Sequence, residues 1–138
     1  MRTVDLFEQD MAGGDTMTLM RDFLVLAKKE LGLQALPKIE WVKDPKVSDT
    51  NHSFGRYTND DKVIRVVLKN RHPLDVMRTL AHELTHYKQD LEDRLTARSG
   101  DTGSPIENDA NATAGRIMRI FSNRYPKAFW LPSIGTGD

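Results

Sequence analysis

The sequence predicts a small α+β domain: an N-terminal helix, a small sheet with an antiparallel edge, and two further helices, with a metal-ligand pattern on the first of those two. Two observations carry the fold class. Apolar residues recur at helical spacing in three separate stretches, and a run rich in β-branched residues lies between the first and second of them. The length of 138 residues suits one domain with its own core.

Residues 1–15 read as a flexible leader, with Gly13-Gly14 as a break, and residues 16–130 as the domain. In the first helix, beginning near Asp15 or Thr16, Leu19, Met20, Phe23, Leu24, Leu26, Ala27 and Leu31 mark one apolar side, and Gly32 is the stop. Ile39-Glu40-Trp41-Val42 alternates as a short strand, and residues 43–53 are a polar loop. Residues 53–58 and 62–68 flank Asn59-Asp60-Asp61 as a hairpin. The second long helix opens near Pro73 with Asp75 in its first turn, where the helix dipole favours an anion, and His72 as its cap. Its apolar spacing extends it to about Leu95. Residues 98–104 form a loop, and Ser104-Pro105 opens a last helix that ends before Pro126. Residues 131–138 read as a disordered tail.

Composition excludes several classes. There is no cysteine, so neither disulfides nor cysteine-ligated zinc is available, and a cytoplasmic location is expected. Lys+Arg and Asp+Glu are 20 each, so net charge supports neither a nucleic-acid nor a membrane-surface role. Basic residues do gather late in the chain, at Arg94, Arg98, Arg116, Arg119, Arg124 and Lys127. They read first as a solvated helix face and second as a local nucleic-acid patch. No stretch reaches the ~20 apolar residues of a membrane span.

The chemistry is concentrated at His82-Glu83-Leu84-Thr85-His86. Residues four apart on a helix differ by only ~40° in direction, so both imidazoles leave one face and can reach one cation at ~2.0–2.1 Å. Glu83 is rotated by ~100°, too far for an easy ligand but within reach of water at the metal. H-E-x-x-H is a zinc-hydrolase signature, and a chance match in a chain this short is on the order of one in a few hundred. One Zn²⁺ per chain is expected; other divalent metals suit the same donors.

A catalytic zinc needs a third protein ligand. His52, His72, Asp101, Glu107 and Asp109 are the candidates, and Glu107 on the next helix is the strongest. Asn111, four residues on, could bond the outer nitrogen of a ligand histidine. Ala110, Ala112, Ala114 and Gly115 are small enough to let this helix come close. A second reading of Glu107 stands beside the first: Ser104-Pro105-Ile106-Glu107 also matches a capping box. For the remaining roles, His52, Tyr57 and Tyr87 are candidates to stabilise an oxyanion, with packing the stronger reading for Tyr87. Gln89 returns to the His82 face, to touch substrate or lie on the surface.

HELTH followed by ENDANATAG resembles the gluzincin branch of the zincin metallopeptidases. The layout is also similar to compact ImmA/IrrE-type metallopeptidases and, in TLAHELTH after a hairpin, to SprT-like proteins and small metallopeptidase-like proteins of tailed phages. The resemblance covers roughly residues 53–118. It implies a minimal zincin-like fold, zinc on His82, His86 and Glu107, Glu83 as general base, and a peptide or protein substrate paired with an edge strand from the 53–68 hairpin. Asn111 departs from the aspartate of thermolysin-like enzymes. Two other function classes remain open: a zinc-binding structural or regulatory module without catalysis, such as a phage-particle component, and a nucleic-acid-associated protease.

Overall fold

The computed structural model describes residues 14–43, 54–96 and 103–135. The expected leader through residue 13, most of both loops with His52, Arg98 and Asp101, and residues 136–138 lie outside them. The elements run α1 (Gly14–Leu31), β1 (Lys38–Val42), β2 (Gly55–Thr58), β3 (Val63–Val67), α2 (Pro73–Leu91), α3 (Pro105–Arg124) and a 3-10 turn (Pro126–Trp130). The fold is α+β, as the periodicities predict.

The sheet order is β1-β3-β2, so the last strand made is the central one. β2 and β3 pair antiparallel through the hairpin, with Tyr57 opposite Ile64. β1 pairs parallel with β3, with Trp41 opposite Val66. Among the described residues β2 is therefore the antiparallel edge strand. Central position explains the composition of β3: Ile64 and Val66 are fully buried towards the helices. Arg65 points to the other face, where Glu40, Asp61 and Thr58 take its guanidinium.

The three helices close one core with the sheet. Met20, Phe23 and Ala27 of α1, Met77, Leu80 and Leu84 of α2, and Ile117 and Phe121 of α3 are all fully buried. Phe23 meets Phe121 edge to face at 5.4 Å between ring centres, a favoured aromatic geometry. Of the small residues on α3, Ala110 and Ala114 are buried, whereas Ala112 is exposed and a Cβ on Gly115 would meet nothing within 4 Å. Close approach rests on the two alanines alone.

Helix starts agree with the sequence signals. His72 caps α2, its Nδ1 accepting the Leu74 N–H at 3.0 Å. Ser104 caps α3, its Oγ accepting the Glu107 N–H at 3.1 Å. Helix ends divide. α1 stops at Gly32, which takes the left-handed conformation at φ 68°. α2 stops at Leu91 instead of continuing to Leu95. The cause is the same reversal made without glycine: Asp93 has φ 57°, with Asp93 N–H on Asp90 O at 3.0 Å and Arg94 N–H on Gln89 O at 2.9 Å.

Residues 131–135, expected to belong to a tail, are ordered against the domain. Ile134 is buried, its N–H bonds Arg71 O and its carbonyl takes the Asn70 N–H, each at 2.8 Å. An apolar residue with both backbone groups bonded has left solvent. Among the described residues, no helix is long and apolar enough to cross a membrane.

Candidate metal centre

Helix α2 presents three faces, and each has a separate task. Leu80, Ala81 and Leu84 enter the core. His82, His86 and Gln89 face α3, while Glu83, Tyr87 and Asp90 lie towards the β2 edge. The Thr85 hydroxyl, buried within the motif, bonds back to Ala81 O at 2.8 Å.

Glu107 arrives from the first turn of α3. Its Oε1 lies 3.0 Å from His82 Nε2 and its Oε2 lies 2.9 Å from His86 Nε2. The two histidine Nε2 atoms are 3.1 Å apart. Ser104 supplies its half of the capping box through the Glu107 backbone N–H, while the Glu107 carboxylate, which the box would turn back to the N-cap, faces the histidines. The two imidazoles and the carboxylate therefore form a triangle of three donor groups, and His82, His86 and Glu107 make up a group able to hold a metal ion, one ligand atom from each lying within 4.8 Å of the others. A tetrahedral zinc with ~2.0–2.1 Å bonds separates its ligand atoms by about 3.3 Å, a spacing that lies within this limit.

The proton arrangement supports that fit. Gln89 is fully buried. Its amide nitrogen donates to Ile106 O at 3.1 Å and to Asp109 Oδ2 at 2.9 Å. Its amide oxygen must then be the atom 2.8 Å from His86 Nδ1, and an oxygen there requires Nδ1 to carry the proton. In the neutral ring this leaves the Nε2 lone pair aimed at the triangle. A carboxylate and an imidazole lone pair converging on one point repel each other unless a cation stands between them.

Gln89 is thus not on the surface; its amide is bonded to His86 of the candidate metal group. Behind it, the Gln89 hydrogen bond, with Arg94 at 3.2 Å, holds the Asp109 carboxyl below its usual range despite burial. Asn111 is exposed, and among the described residues none of its hydrogen bonds reaches either histidine. The chain supports His86 from Gln89 of the same helix, with Asp109 two residues after Glu107 behind it. The available signal was the spacing His86-x-x-Gln89, which places an amide one turn beyond the ligand. His72 is occupied elsewhere, with Nδ1 on its own helix start and Nε2 3.2 Å from Phe129 O.

Glu83 is buried beside the triangle. Its Oε1 accepts the backbone N–H of Tyr57, on the edge strand, at 2.8 Å. Burial pushes its carboxyl above the usual range, with the two histidines and the Tyr57 N–H acting against the rise. Tyr57 turns its side chain away from the metal triangle. Its hydroxyl donates to Asp90, its ring meets Tyr87 edge to face, and Lys62 caps the same carboxylate at 2.8 Å. Burial and the Asp90 hydrogen bond raise the Tyr57 hydroxyl far above its ordinary pKa. The phenol proton is committed to Asp90.

Two residues hold the edge strand on α2. A Cβ on Gly55 would come within 2.2 Å of the Thr79 methyl, so only glycine permits this approach. Arg71 is almost fully buried and joins both partners. It donates to Phe54 O at 3.1 Å and Val67 O at 2.8 Å on the hairpin, and to Thr79 Oγ1 at 2.6 Å and Asp75 Oδ2 at 2.9 Å on α2. Sequence reasoning missed it, because an arginine ahead of a helix carries no signal of burial. A groove of about 260 Å³ runs beside the triangle, lined by Phe54, Gly55, Arg78, Thr79, His82 and Glu83. Of the late basic residues, Arg94 pairs with Glu92 and Asp109, and Arg116 pairs with Glu30.

No known family model, curated protein or solved structure matches the chain.

Proposed function

We propose that this protein is a zinc-dependent metallopeptidase of gluzincin type. The reading rests above all on Glu107, brought from a second helix so that both carboxylate oxygens meet both histidines of the HELTH motif within 3.0 Å. His82, His86 and Glu107 would hold the zinc. When bound, it would supply Lewis acidity, lowering the pKa of water and polarising a carbonyl.

The chain's own residues do the rest. Gln89 fixes the tautomer of His86. Glu83 takes a proton from the attacking water and delivers it to the leaving amine. Its hydrogen bond from Tyr57 keeps the carboxylate beside the groove, and its burial suits a base that must also act as an acid. A metal held only for structure has no use for that carboxylate, which favours catalysis over a structural zinc module. β2, at the sheet edge, is the strand along which an extended peptide would lie, adding backbone affinity with little demand on sequence.

The test begins with zinc per chain by native mass spectrometry. Wild type is expected to carry about one zinc, and Glu107→Ala to lose or weaken it. Peptide hydrolysis is then followed in wild type and in Glu83→Gln, which should keep zinc and lose activity by at least 100-fold. Equal zinc in Glu107→Ala would sink the ligand set. Full activity in zinc-loaded Glu83→Gln would remove the proposed base. Zinc binding without hydrolysis of any peptide would favour the structural module.

A further inference from the structure

We infer that Arg78 selects substrates carrying a carboxylate one or two residues from the bond to be cleaved, an inference that deepens the peptidase reading and rests on it. Arg78 lies one helical turn before His82 and lines the same groove as His82 and Glu83. It is exposed, and no ion pair or hydrogen bond engages its guanidinium among the described residues. Several other arginines do carry such a partner, although exposed Arg56, Arg119 and Arg124 lie outside the groove and show none among the described residues. Arg65, Arg71, Arg94 and Arg116 each meet a carboxylate within 3.2 Å. Asp75, one turn back on the same helix, is held by Arg71 at 2.8 Å.

The rest of the groove defines what can enter. Its floor is closed by Gly55 against Thr79. Its far wall is Phe54, exposed over 59% of its surface yet anchored by Arg71, whose guanidinium carbon lies 4.6 Å from the ring centre. The groove thus offers one apolar wall, one unpaired cation and a carboxylate base at its inner end. The charge of Arg78 offsets the repulsion that Glu83 and Glu107 would exert on an acidic peptide. Four residues of helix separate the Arg78 and His82 Cα atoms by about 6 Å along the axis, and arginine leans towards the helix N-terminus. At ~3.4 Å per extended residue, the matching carboxylate sits one or two residues from the scissile bond. It can belong to an Asp or Glu side chain or to a free C-terminus.

Binding is measured on zinc-loaded Glu83→Gln protein, by fluorescence anisotropy with labelled hexapeptides. The peptides carry Asp or Asn at each position in turn, with free or amidated C-termini. An Asp or free-carboxylate peptide should bind about tenfold more tightly than its neutral counterpart, the scale of one charged hydrogen bond. Glu83→Gln/Arg78→Gln should lose that ratio, and Glu83→Gln/Arg78→Glu should prefer Lys at the same position, each with unchanged zinc by native mass spectrometry. The pattern of Asp against C-terminal effects separates an acidic side chain from a chain end. Arg78 is refuted if the parent shows no such ratio or if Arg78→Gln retains it. Retention of the ratio by a wild-type protein that hydrolyses none of these peptides would instead defeat the peptidase reading and leave the acidic-ligand groove standing.

Discussion

The two functional sides of α2 are built by different means. Towards α3 most contacts join side chains, two histidines, Glu107 and the Gln89–Asp109–Arg94 chain behind His86, with Ile106 O the one backbone partner named. Towards the sheet, backbone groups of the strands take part beside the Tyr57 and Lys62 contacts with Asp90. Glu83 is held by the Tyr57 N–H, and Arg71 grips the carbonyls of Phe54 and Val67. The first side is specific about residue type and tolerant in the fold it requires. The second fixes the position of the edge strand and hence of Glu83. Damage to the α3 side should therefore cost metal first, and damage to the sheet side should cost stability first.

The largest effect expected is from Arg71. Arg71→Met removes a buried guanidinium's hydrogen bonds to Val67 O, Phe54 O and Thr79 Oγ1, leaves Phe54 O its Val67 N–H and returns the exposed Asp75 carboxylate to water, and should destabilise the protein by about 2–4 kcal/mol in urea unfolding. Chains that remain folded should still bind zinc. Zinc lost in proportion to the fraction folded would support the division; zinc lost from fully folded chains would break it.

Gln89→Leu is the counterpart on the other side. Without the amide oxygen the His86 ring loses its tautomer and orientation, and zinc affinity should fall by about 10–100-fold in competition with a chelator. If unfolding shifts more than zinc affinity, Gln89 is a core residue before it is an orienting one.

Smaller effects sharpen the comparison. Asp93→Gly relieves an L-residue at φ 57° while keeping the turn that brings Arg94 to Asp109, and should raise stability by about 0.5 kcal/mol without changing zinc affinity. At Asp61, hydrogen bonds from Thr58 and Arg65 hold the carboxyl down to about 2. A depressed carboxyl stabilises the fold above its unfolded value of ~3.9, and that contribution is lost as pH falls from about 4 to 2. Amide exchange in the β2–β3 turn should rise over that window, and Asp61→Asn should flatten the rise.

The sequence by itself determined the helices, their capped starts, the hairpin and the His82-Glu83-His86 constellation. These depend on spacing within one element, and helical or strand geometry converts spacing directly into direction. For Glu107 the sequence offered two competing uses of one carboxylate, metal ligand or capping-box partner, and the approach of α3 to α2 turned it to His82 and His86. Tertiary structure decided the rest. Whether β1 runs parallel beside β3, whether Gln89 or Asn111 reaches a histidine, and whether Arg71 is buried all depend on which elements come together. Asn111 points to solvent and Gln89 into the α2–α3 interface because of the rotation of each helix about its axis, and that is set by packing of Ala110, Ala114 and Ile117 in the shared core. Asp93 ends α2 without the glycine that marks such a stop in α1, since the left-handed turn there is held by hydrogen bonds to Gln89 and Asp90 and by Arg94 reaching Asp109. Residue type along the chain specifies which groups can do chemistry; only long-range packing specifies which of them meet.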